Sequence, residues 1–505
     1  MKKNNNLYLL FSEAISASDD IDFLHVPHGP SLKYRDTDEA SGRFHAALES
    51  LGITKGDRVV VQVAKSIESV LLYLACLRIG AIYIPLNTAY TSAEVSYFIE
   101  DAEPRVFICD PLAHESLGSV LHEKVAHILT LSANGTGSLV DIYNEKDAVN
   151  DIVDCSADDL AAILYTSGTT GRSKGAMLSH SNLSSNAQVL HQYWQFQHGD
   201  ILLHALPVFH VHGLFVALHC ALLNGSMIYF LPHFDADTVL QQLPTSTVMM
   251  GVPTFYTRLL DRPDFTRDLC DNMRLFVSGS APLLAETHIE FEQRTGHRIL
   301  ERYGMTETGM ITSNPYDGER IAGTVGYALP GESVRIADDD GNEIARGETG
   351  VLEVKGPNVF QGYWRMPEKT RDEFREDGWF ITGDLATMSD DGRVTIVGRE
   401  KDLIISGGYN IYPKEIELAI DECDGVKESA VIGTPHADFG EGVVAVVVRG
   451  DNMDINEDDI LQSLSSQLAR FKQPKRIFFV DELPRNTMGK VQKNTLREDY
   501  RDCLK

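Results

Sequence analysis

The densest cluster of residues suited to chemistry in this sequence is the stretch YTSGTTGRSKG, at residues 165–175. It holds three glycines, five serine or threonine side chains and Lys174, and it has no acidic residue. Glycine lets backbone N–H groups crowd around an anion, hydroxyl groups add donors, and the lysine adds positive charge. Apolar runs at residues 160–165 and 176–179 predict a strand on each side. The stretch therefore predicts a loop that binds a polyphosphate.

The order of residues excludes the ordinary kinase-type phosphate loop. That loop ends in Gly-Lys followed by Ser or Thr, whereas here Ser173 precedes Lys174 and Gly175 follows it. A flexible surface turn of the same composition is the simpler alternative. The flanking strands and the lack of acidic residues favour phosphate binding.

A second group of candidate residues lies in ERYGMTET, at residues 301–308. Tyr303 offers a flat face for a purine, Thr306 a hydroxyl for a phosphate, and Glu307 a carboxylate for Mg²⁺. Further along, GWFITGD at residues 378–384 places Asp384 after a tight turn, where a carboxylate can accept hydrogen bonds from two ribose hydroxyls. These residue types together suit the binding of ATP with Mg²⁺.

The segment LPVFHVHG, at residues 206–213, places His210 and His212 on one face if its backbone is extended. A metal site would need further ligands, and only His204 is near in sequence. The pair either lines a packed strand end or forms a wall of a ligand pocket, with His210 as the participant. A later strand leads into SGSAP at residues 278–282, whose small side chains let another group approach closely.

These motifs, in this order, resemble those of the acyl-adenylate-forming superfamily, which includes acyl-CoA synthetases, peptide-synthetase adenylation domains and luciferases. The resemblance extends over about residues 35–495. It implies that Tyr303 stacks on adenine, Thr306 contacts the α-phosphate, and Asp384 and Arg399 bind the ribose. The full set of ATP- and AMP-binding residues that it implies is Thr166, Ser167, Gly168, Thr169, Thr170, Gly171, Lys174, Ser280, Ala281, Pro282, Glu301, Tyr303, Gly304, Met305, Thr306, Asp384 and Arg399.

The same resemblance implies the remaining roles. Lys490 would contact the attacked carboxylate and the α-phosphate, and Glu307 would hold the metal. The catalytic set that it implies is Lys490, Thr166, Glu307 and His210, and the acyl-binding set is His210, Ser278, Arg302 and Gly304. It also implies a CoA tunnel past Gly407 and Gly408, and a domain hinge at Lys401.

Arg302 departs from the broad superfamily pattern, in which glycine is common at this place. An arginine here could pair bidentately with a carboxylate, and a second carboxylate on the substrate would profit from it. A structural ion pair with an acidic residue of the chain is the alternative. With the histidine segment upstream, ERYGMTE resembles the malonyl-CoA synthetase branch, which implies a dicarboxylate substrate.

The order of predicted elements indicates an α/β fold. Strands and helices alternate from about residue 38 to residue 110, which is typical of parallel sheets flanked by helices. We expect a large N-terminal domain that binds ATP and the acyl group, at residues 1–399. A small, mobile α+β lid domain is expected at residues 400–505, with the boundary near 398–402.

Composition and charge limit the partners. With 505 residues, 43% hydrophobic and 23% charged, the chain is long enough for at least two folded domains. The formal net charge of −28 argues against nucleic acid or an anionic membrane surface as a partner. No apolar run is long enough to predict a membrane span. Seven scattered cysteines without metal spacing favour a cytoplasmic location. Monomer and homodimer both remain open.

The function expected from the resemblance is an AMP-forming acid–CoA ligase that uses ATP, Mg²⁺ and CoA. Its substrate is expected to be malonate or methylmalonate. A ligase for a short or medium monocarboxylic acid, with Arg302 purely structural, is the nearest alternative. A scaffold protein with an inactive fold is disfavoured because Lys174, Glu307, Asp384 and Lys490 are all present.

Overall fold

Alternating strands and helices make up most of the chain. The computed structural model describes residues 4–18, 20–121, 123–166, 173–281, 283, 285–399, 404–411, 413–450, 455–484 and 491–504. These residues form strands β1 to β24, in chain order: Asp22–His25, Ser31–Lys33, Arg58–Gln62, Ile82–Pro85, Val106–Cys109, His127–Thr130, Leu160–Thr166, Lys174–Ser179, Ile201–His204, Met227–Phe230, Val248–Gly251, Leu275–Ser278, Leu300–Met305, Gly309–Ser313, Tyr327–Ala328, Ser333–Ala337, Gly350–Lys355, Phe380–Met388, Val394–Arg399, Ile404–Ser406, Tyr409–Ile411, Val426–His436, Gly440–Arg449 and Arg476–Val480.

The described α-helices are numbered α1 to α15 in the same way: Leu7–Ala17, Tyr34–Ser50, Ile67–Ile79, Ser92–Ala102, Pro111–Leu121, Ser138–Asn144, His180–Tyr193, His219–Asn224, Ala236–Gln242, Pro253–Leu260, Ala285–Thr295, Pro367–Asp372, Pro413–Asp421, Glu457–Gln467 and Lys493–Asp499. A π-helix covers His212–Leu218. Short 3₁₀ helices lie at Leu243–Thr245, Arg267–Cys270 and Arg470–Lys472. No described helix is long and apolar enough to cross a membrane.

Helix α3 shows how local sequence sets these elements. Ser66 caps its first turn by accepting the backbone N–H of Ser69, and the Ser69 hydroxyl in turn caps the backbone of Ser66. The helix ends at Gly80, whose positive φ of 71° suits a residue without a side chain. Every residue of α3 except Glu68 is buried, so this helix lies in the core.

The chain divides into two compact units. The first comprises Met1–Thr88, Ile99–Leu164 and Gly175–Val397, and the second comprises Ala89–Phe98, Tyr165–Lys174 and Gly398–Lys505. Two short N-terminal segments therefore belong to the second unit, whereas the predicted division at 399/400 assigns them to the first domain. Lys401, the predicted hinge, lies outside the described residues.

The first unit is built on three sheets. A nine-stranded sheet has the order β15-β14-β13-β12-β11-β9-β10-β1-β2, and its central strands from β13 to β1 are parallel. A six-stranded sheet has the order β6-β5-β3-β4-β7-β8, with parallel pairing from β6 through β7. Strands β16 to β19 form a separate sheet. The predicted α/β class with parallel sheets flanked by helices is confirmed.

Register brings three motifs to one edge of the nine-stranded sheet. Gly251, at the end of β11, is paired with Ser278, at the end of β12, and Ser278 is paired with Glu301 on β13. The carboxyl ends of parallel strands are the usual place for a ligand site in such sheets.

The second unit is smaller and has its own core. Strands β21, β20, β23 and β22 form its sheet, and β24 joins β23 in parallel. Apolar clusters cover both faces of this sheet, one with α13 and α14 and one with α15. This agrees with the predicted small α+β C-terminal domain.

Buried neutral histidines make stability depend on pH. The ring of His219 is fully buried beside the Tyr73 hydroxyl, and burial lowers its pKa from 6.5 to about 3. Between these pH values the unfolded chain binds a proton that the folded chain does not, so stability falls as pH falls below 6.5. We expect His219→Gln to reduce the slope with which the free energy of unfolding falls as pH falls, by up to about 1.4 kcal/mol per pH unit.

The measurement is urea unfolding at several pH values between 7.5 and 5. The matched control is His198→Gln, at an exposed position, which should leave the pH slope unchanged. An identical slope in His219→Gln and the unmodified protein would show that His219 does not contribute.

Candidate active site

The centre of the candidate site is the guanidinium group of Arg302, on β13. The Arg302 side chain is only 4% exposed, and its Nε and Nη2 atoms have no hydrogen-bond partner among the described residues. The group lies against the backbone of Gly279, where a Cβ atom would come within 2.3 Å of Cζ. Only glycine at this position leaves room for the guanidinium. Burial lowers the pKa of Arg302 to about 9, so the group remains charged at neutral pH.

Residues 206–213, here called the His loop, supply two neutral histidines near this charge. Burial and the Arg302 charge lower the pKa of His210 to about 4, and they also hold the pKa of His212 well below its usual range. The backbone N–H of His212 donates to Nδ1 of His210 at 3.2 Å. The neutral ring of His210 therefore carries its proton on Nε2, as a donor.

The turn after β12 closes this part of the site. Ser280 has a positive φ of 70°, which is uncommon for a residue with a side chain, and such strain is frequent at functional sites. Its hydroxyl lies 3.3 Å from Nδ1 of His212. The buried hydroxyl of Ser278 has no partner among the described residues. Unpaired polar atoms of Ser278 and Arg302 thus occur together, as expected for a pocket that binds a polar ligand.

Two predicted nucleotide-binding residues lie in direct contact. The Tyr303 hydroxyl donates to Oδ2 of Asp384, from a position 81 residues away in sequence. Asp384 is almost fully buried, whereas Tyr303 is partly exposed. Gly304 follows at a bulge where β13 turns toward β14, and a side chain there would clash with the carbonyl of Gly309. The structure therefore places in contact two motifs that the sequence analysis assigned to the same nucleotide.

Glu307, the predicted metal ligand, and a second acidic side chain both contact the hydroxyl of one tyrosine. The hydroxyl of Tyr363 lies 3.0 Å from Oε1 of Glu307 and 2.6 Å from Oε2 of Glu373. Glu307 is 5% exposed. Among the described residues no group of three or more acidic, histidine or cysteine side chains could hold a metal. A carboxylate with this exposure suits Mg²⁺ that takes its remaining ligands from phosphates and water.

The carboxylate of Glu301 contacts a histidine and a backbone N–H group. The Glu301 carboxylate accepts from Gly323 N–H at 3.2 Å and lies 3.2 Å from Nδ1 of His288. Burial raises its pKa. Ala281, Met305 and Thr306 are partly exposed near the ends of β12 and β13. Their roles in nucleotide binding stay predictions.

Within the second unit, Thr166 and Lys174 flank the glycine-rich stretch. The Thr166 hydroxyl lies 3.4 Å from the Lys174 carbonyl, and Lys174 is 6% exposed. Gly407 and Gly408 both have positive φ, at 57° and 81°. A Cβ atom on Gly407 would approach the ring of Phe439 to 3.0 Å.

Several predicted residues cannot be placed in this geometry. Outside the described residues lie Ser167, Gly168, Thr169, Thr170, Gly171, Pro282, Lys401 and Lys490. The same holds for the side chain of Arg399. Their roles stay predictions.

Sequence reasoning missed two residues that the structure places beside the predicted ones. Tyr363 contacts Glu307, and Lys65 contacts the start of the His loop. Lys65 follows a predicted strand in an apolar context, which is the only sequence signal for it.

Comparison with known proteins gives consistent matches. A family model described as AMP-binding enzyme matches residues 12–364, and the model of its C-terminal domain matches residues 415–490. The chain is similar to ATP-bound MatB from Rhodopseudomonas palustris, with 54% identity, a TM-score of 0.78 and 100% of each chain covered.

Two curated relatives are similar over most of their length. The malonate–CoA ligase of Arabidopsis thaliana is 34% identical, over 92% of this chain and 82% of that protein. A long-chain-fatty-acid–CoA ligase of Yersinia pestis is 33% identical, over 93% of this chain and 90% of that protein.

The contact between Tyr303 and Asp384 can be tested by Tyr303→Phe. Loss of a hydrogen bond to a buried carboxylate should lower the free energy of unfolding by about 1.5–3 kcal/mol, and ATP should still bind within a few fold because the ring remains. The matched control is Tyr256→Phe, which removes a 2.6 Å bond to the neutral carbonyl of Val277. Urea unfolding and calorimetric ATP titration measure both effects. A smaller loss at Tyr303 than at Tyr256 would contradict this prediction.

Proposed function

The chain belongs to the AMP-binding enzyme family, and from this premise we propose that it is an AMP-forming malonate–CoA ligase. It would convert malonate, ATP and CoA into malonyl-CoA, AMP and pyrophosphate. Methylmalonate is a second expected substrate, since it differs by one methyl group. The resemblance to the acyl-adenylate-forming superfamily that the sequence indicated is confirmed by the family match.

One observation supports malonate as the substrate. Arg302 is a buried cation with no carboxylate partner among the described residues, and it faces neutral histidines. A monocarboxylic acid would leave this charge unpaired, because its only carboxylate is consumed in the reaction. The distal carboxylate of malonate would accept from the free Nε and Nη2 atoms of Arg302. The malonate–CoA ligase among the relatives supports the same choice.

In the first half-reaction, an oxygen of the reacting carboxylate attacks the α-phosphorus of ATP, and pyrophosphate leaves. Two anions must meet, so the protein contributes alignment and positive charge. Arg302 would fix the distal carboxylate, while Lys174 and Lys490 would face the phosphates. Glu307 would hold Mg²⁺, whose chemistry is to neutralise charge on the phosphate oxygens.

The nucleotide would be oriented by the pair Tyr303 and Asp384. The ring of Tyr303 offers a face for adenine, and its hydroxyl fixes the carboxylate of Asp384 for the ribose hydroxyls. Tyr363 would keep Glu307 directed at the metal. Each of these groups is held by a neighbour, which reduces reorganisation during the reaction.

In the second half-reaction, the thiolate of CoA attacks the acyl carbon of the adenylate, and AMP leaves with the bonding electrons. Lys490 must then move away so that the thiol can reach the acyl group. A turn of the C-terminal domain about Lys401 would allow this, with the pantetheine arm passing Gly407 and Gly408. The seven cysteines are free thiols, which is consistent with a reducing cytoplasm as the proposed location.

The substrate is tested by AMP release that depends on CoA, with malonate, methylmalonate, succinate, acetate, propionate, butyrate and a long-chain acid. We expect a clear preference for malonate. Arg302→Met should lower kcat/KM for malonate by roughly 30- to 1000-fold, equivalent to about 2–4 kcal/mol of lost transition-state stabilisation.

The matched control for this prediction is Arg320→Met. Arg320 is also largely buried, but it donates to the carbonyls of Arg298, Pro315 and Tyr316 instead of facing the site. Its replacement should leave the preference among acids unchanged. Malonate turnover within a few fold of normal in Arg302→Met would eliminate the dicarboxylate assignment and favour a monocarboxylic or long-chain substrate.

The role of Lys490 is tested by separating the half-reactions. Lys490→Ala should block formation of the acyl-adenylate, because the positive charge that joins the two anions is lost. It should spare the reaction of CoA with a supplied malonyl-adenylate. Pyrophosphate release measures the first step and thioester formation the second. The control is Lys493→Ala, three residues away. Equal loss of both steps in Lys490→Ala would contradict the assignment.

A further inference from the structure

Lys65 precedes Ser66, the N-cap residue of α3. It contacts both ends of the His loop, the first end directly and the second through the ring of His204. Its Nζ atom donates to the carbonyl of Leu206 at 2.9 Å, at the start of the loop. It also donates to the carbonyl of His204 at 2.8 Å and contacts Nδ1 of the same residue at 2.7 Å. The other ring nitrogen of His204 donates to the carbonyl of Gly213 at 2.9 Å, at the end of the loop.

The hydrogen bonds of Lys65 and His204 determine the charge of this pair of side chains. Gly213 can only accept through its carbonyl, so Nε2 of His204 carries a hydrogen. The side chains of Lys65 and His204 make three hydrogen bonds to carbonyls and one to each other, and these four bonds need four hydrogens. A neutral amine and a neutral imidazole together supply only three. The pair therefore carries one positive charge, and the ring of Phe230, 4.3 Å from Nζ, faces it.

The His loop is a tight structure that this contact can hold in place. Gly213 approaches Pro207 so closely that a Cβ atom would lie 2.0 Å from the Pro207 carbonyl. The π-helix His212–Leu218 begins at the end of the loop, and π-helical turns occur frequently at functional sites. Between the two fixed ends lies His210, which faces the charge of Arg302.

We propose that Lys65 is a positioning residue for the acyl pocket: through His204 it fixes both ends of the His loop and so sets the place of His210 relative to the bound acid. This inference rests on the proposed function, because it assigns His210 to the pocket of the malonate ligase. Lys65 itself does not touch the substrate in this scheme. A change at Lys65 should therefore act on the acid much more than on ATP.

The test is Lys65→Ala in the full chain, with steady-state kinetics for malonate and ATP. We expect the KM for malonate to rise roughly 10- to 100-fold, the scale for a displaced positioning group, while the KM for ATP stays within about twofold. Lys65 lines a cavity of about 280 Å³, together with Val61, Tyr83, Leu86 and Phe209. Added methylammonium should enter the vacated space and restore much of the malonate KM. Tetramethylammonium has the same charge but no N–H donor, and it should not.

The matched control is Lys124→Ala, at an exposed lysine whose ion pair with Glu100 is also exposed. It should leave both KM values unchanged. A malonate KM within threefold of normal in folded Lys65→Ala overturns the proposal, as does a parallel rise of both KM values, which would indicate a general structural role. If Lys65→Ala does not fold, Lys65→Met keeps an apolar side chain of similar length without any N–H donor and is judged by the same two criteria.

A readout without substrate separates this proposal from the proposed function. Hydrogen exchange of the backbone amides at residues 204–214 should be faster in Lys65→Ala than in the unmodified chain, and methylammonium should slow it again. Unchanged exchange overturns the positioning role. If the unmodified protein shows no AMP release with malonate, the proposed function fails, and the exchange result still decides whether Lys65 holds the His loop.

Discussion

A buried positive charge that has no acidic partner among the described residues organises the first unit of this protein. Removing a guanidinium from water is costly, and the cost is usually recovered by a carboxylate at hydrogen-bond distance. The groups near Arg302 instead include Gly279, the neutral His210 and His212, and Tyr256. Glycine at 279 leaves space for the cation, and burial keeps the histidines uncharged. These features support the proposal that a ligand supplies the negative charge.

The topology explains why the reacting groups can meet. Motifs that lie 50 residues apart, from Gly251 to Glu301, meet at the carboxyl ends of neighbouring parallel strands, since β11, β12 and β13 pair in register. The sheet of β16 to β19 then brings Asp384 to Tyr303, and the segment between β17 and α12 brings Tyr363 to Glu307. Each contact joins a residue that could bind substrate to one that restricts its movement. The fold therefore supplies alignment, which is the main requirement when two anions react.

Much of this arrangement could be predicted from the sequence, for physical reasons that differ between residues. Tyr303, Glu307 and Asp384 stand out because their side-chain types, at a strand end or turn, suit the purine, the metal and the ribose for which they are predicted. The alternation of strands and helices similarly predicts parallel sheets. Lys65 and Tyr363 could not be found in this way, because their roles depend on partners far away in sequence. The same limitation applies to the segments Ala89–Phe98 and Tyr165–Lys174, which belong to the second unit through tertiary contacts alone.

Three other buried or mostly buried cations in the same chain have acidic partners, which supports the proposed role of Arg302. Arg274 pairs with Asp200, and Arg335 pairs with Glu353 at 2.7 Å. In the second unit, Lys472 contacts Glu94 and Glu415 at 2.8 Å each, and those acidic groups help to raise its pKa.

The chain has 73 acidic residues, so its sequence offers many carboxylates that could have paired with Arg302. Instead, burial lowers the pKa of Arg302, whereas acidic partners raise the pKa of Lys472. A cation that served only to stabilise the fold would gain from a carboxylate partner like those of Arg274, Arg335 and Lys472. Its absence among the described residues supports the proposal that a carboxylate of the substrate occupies that place.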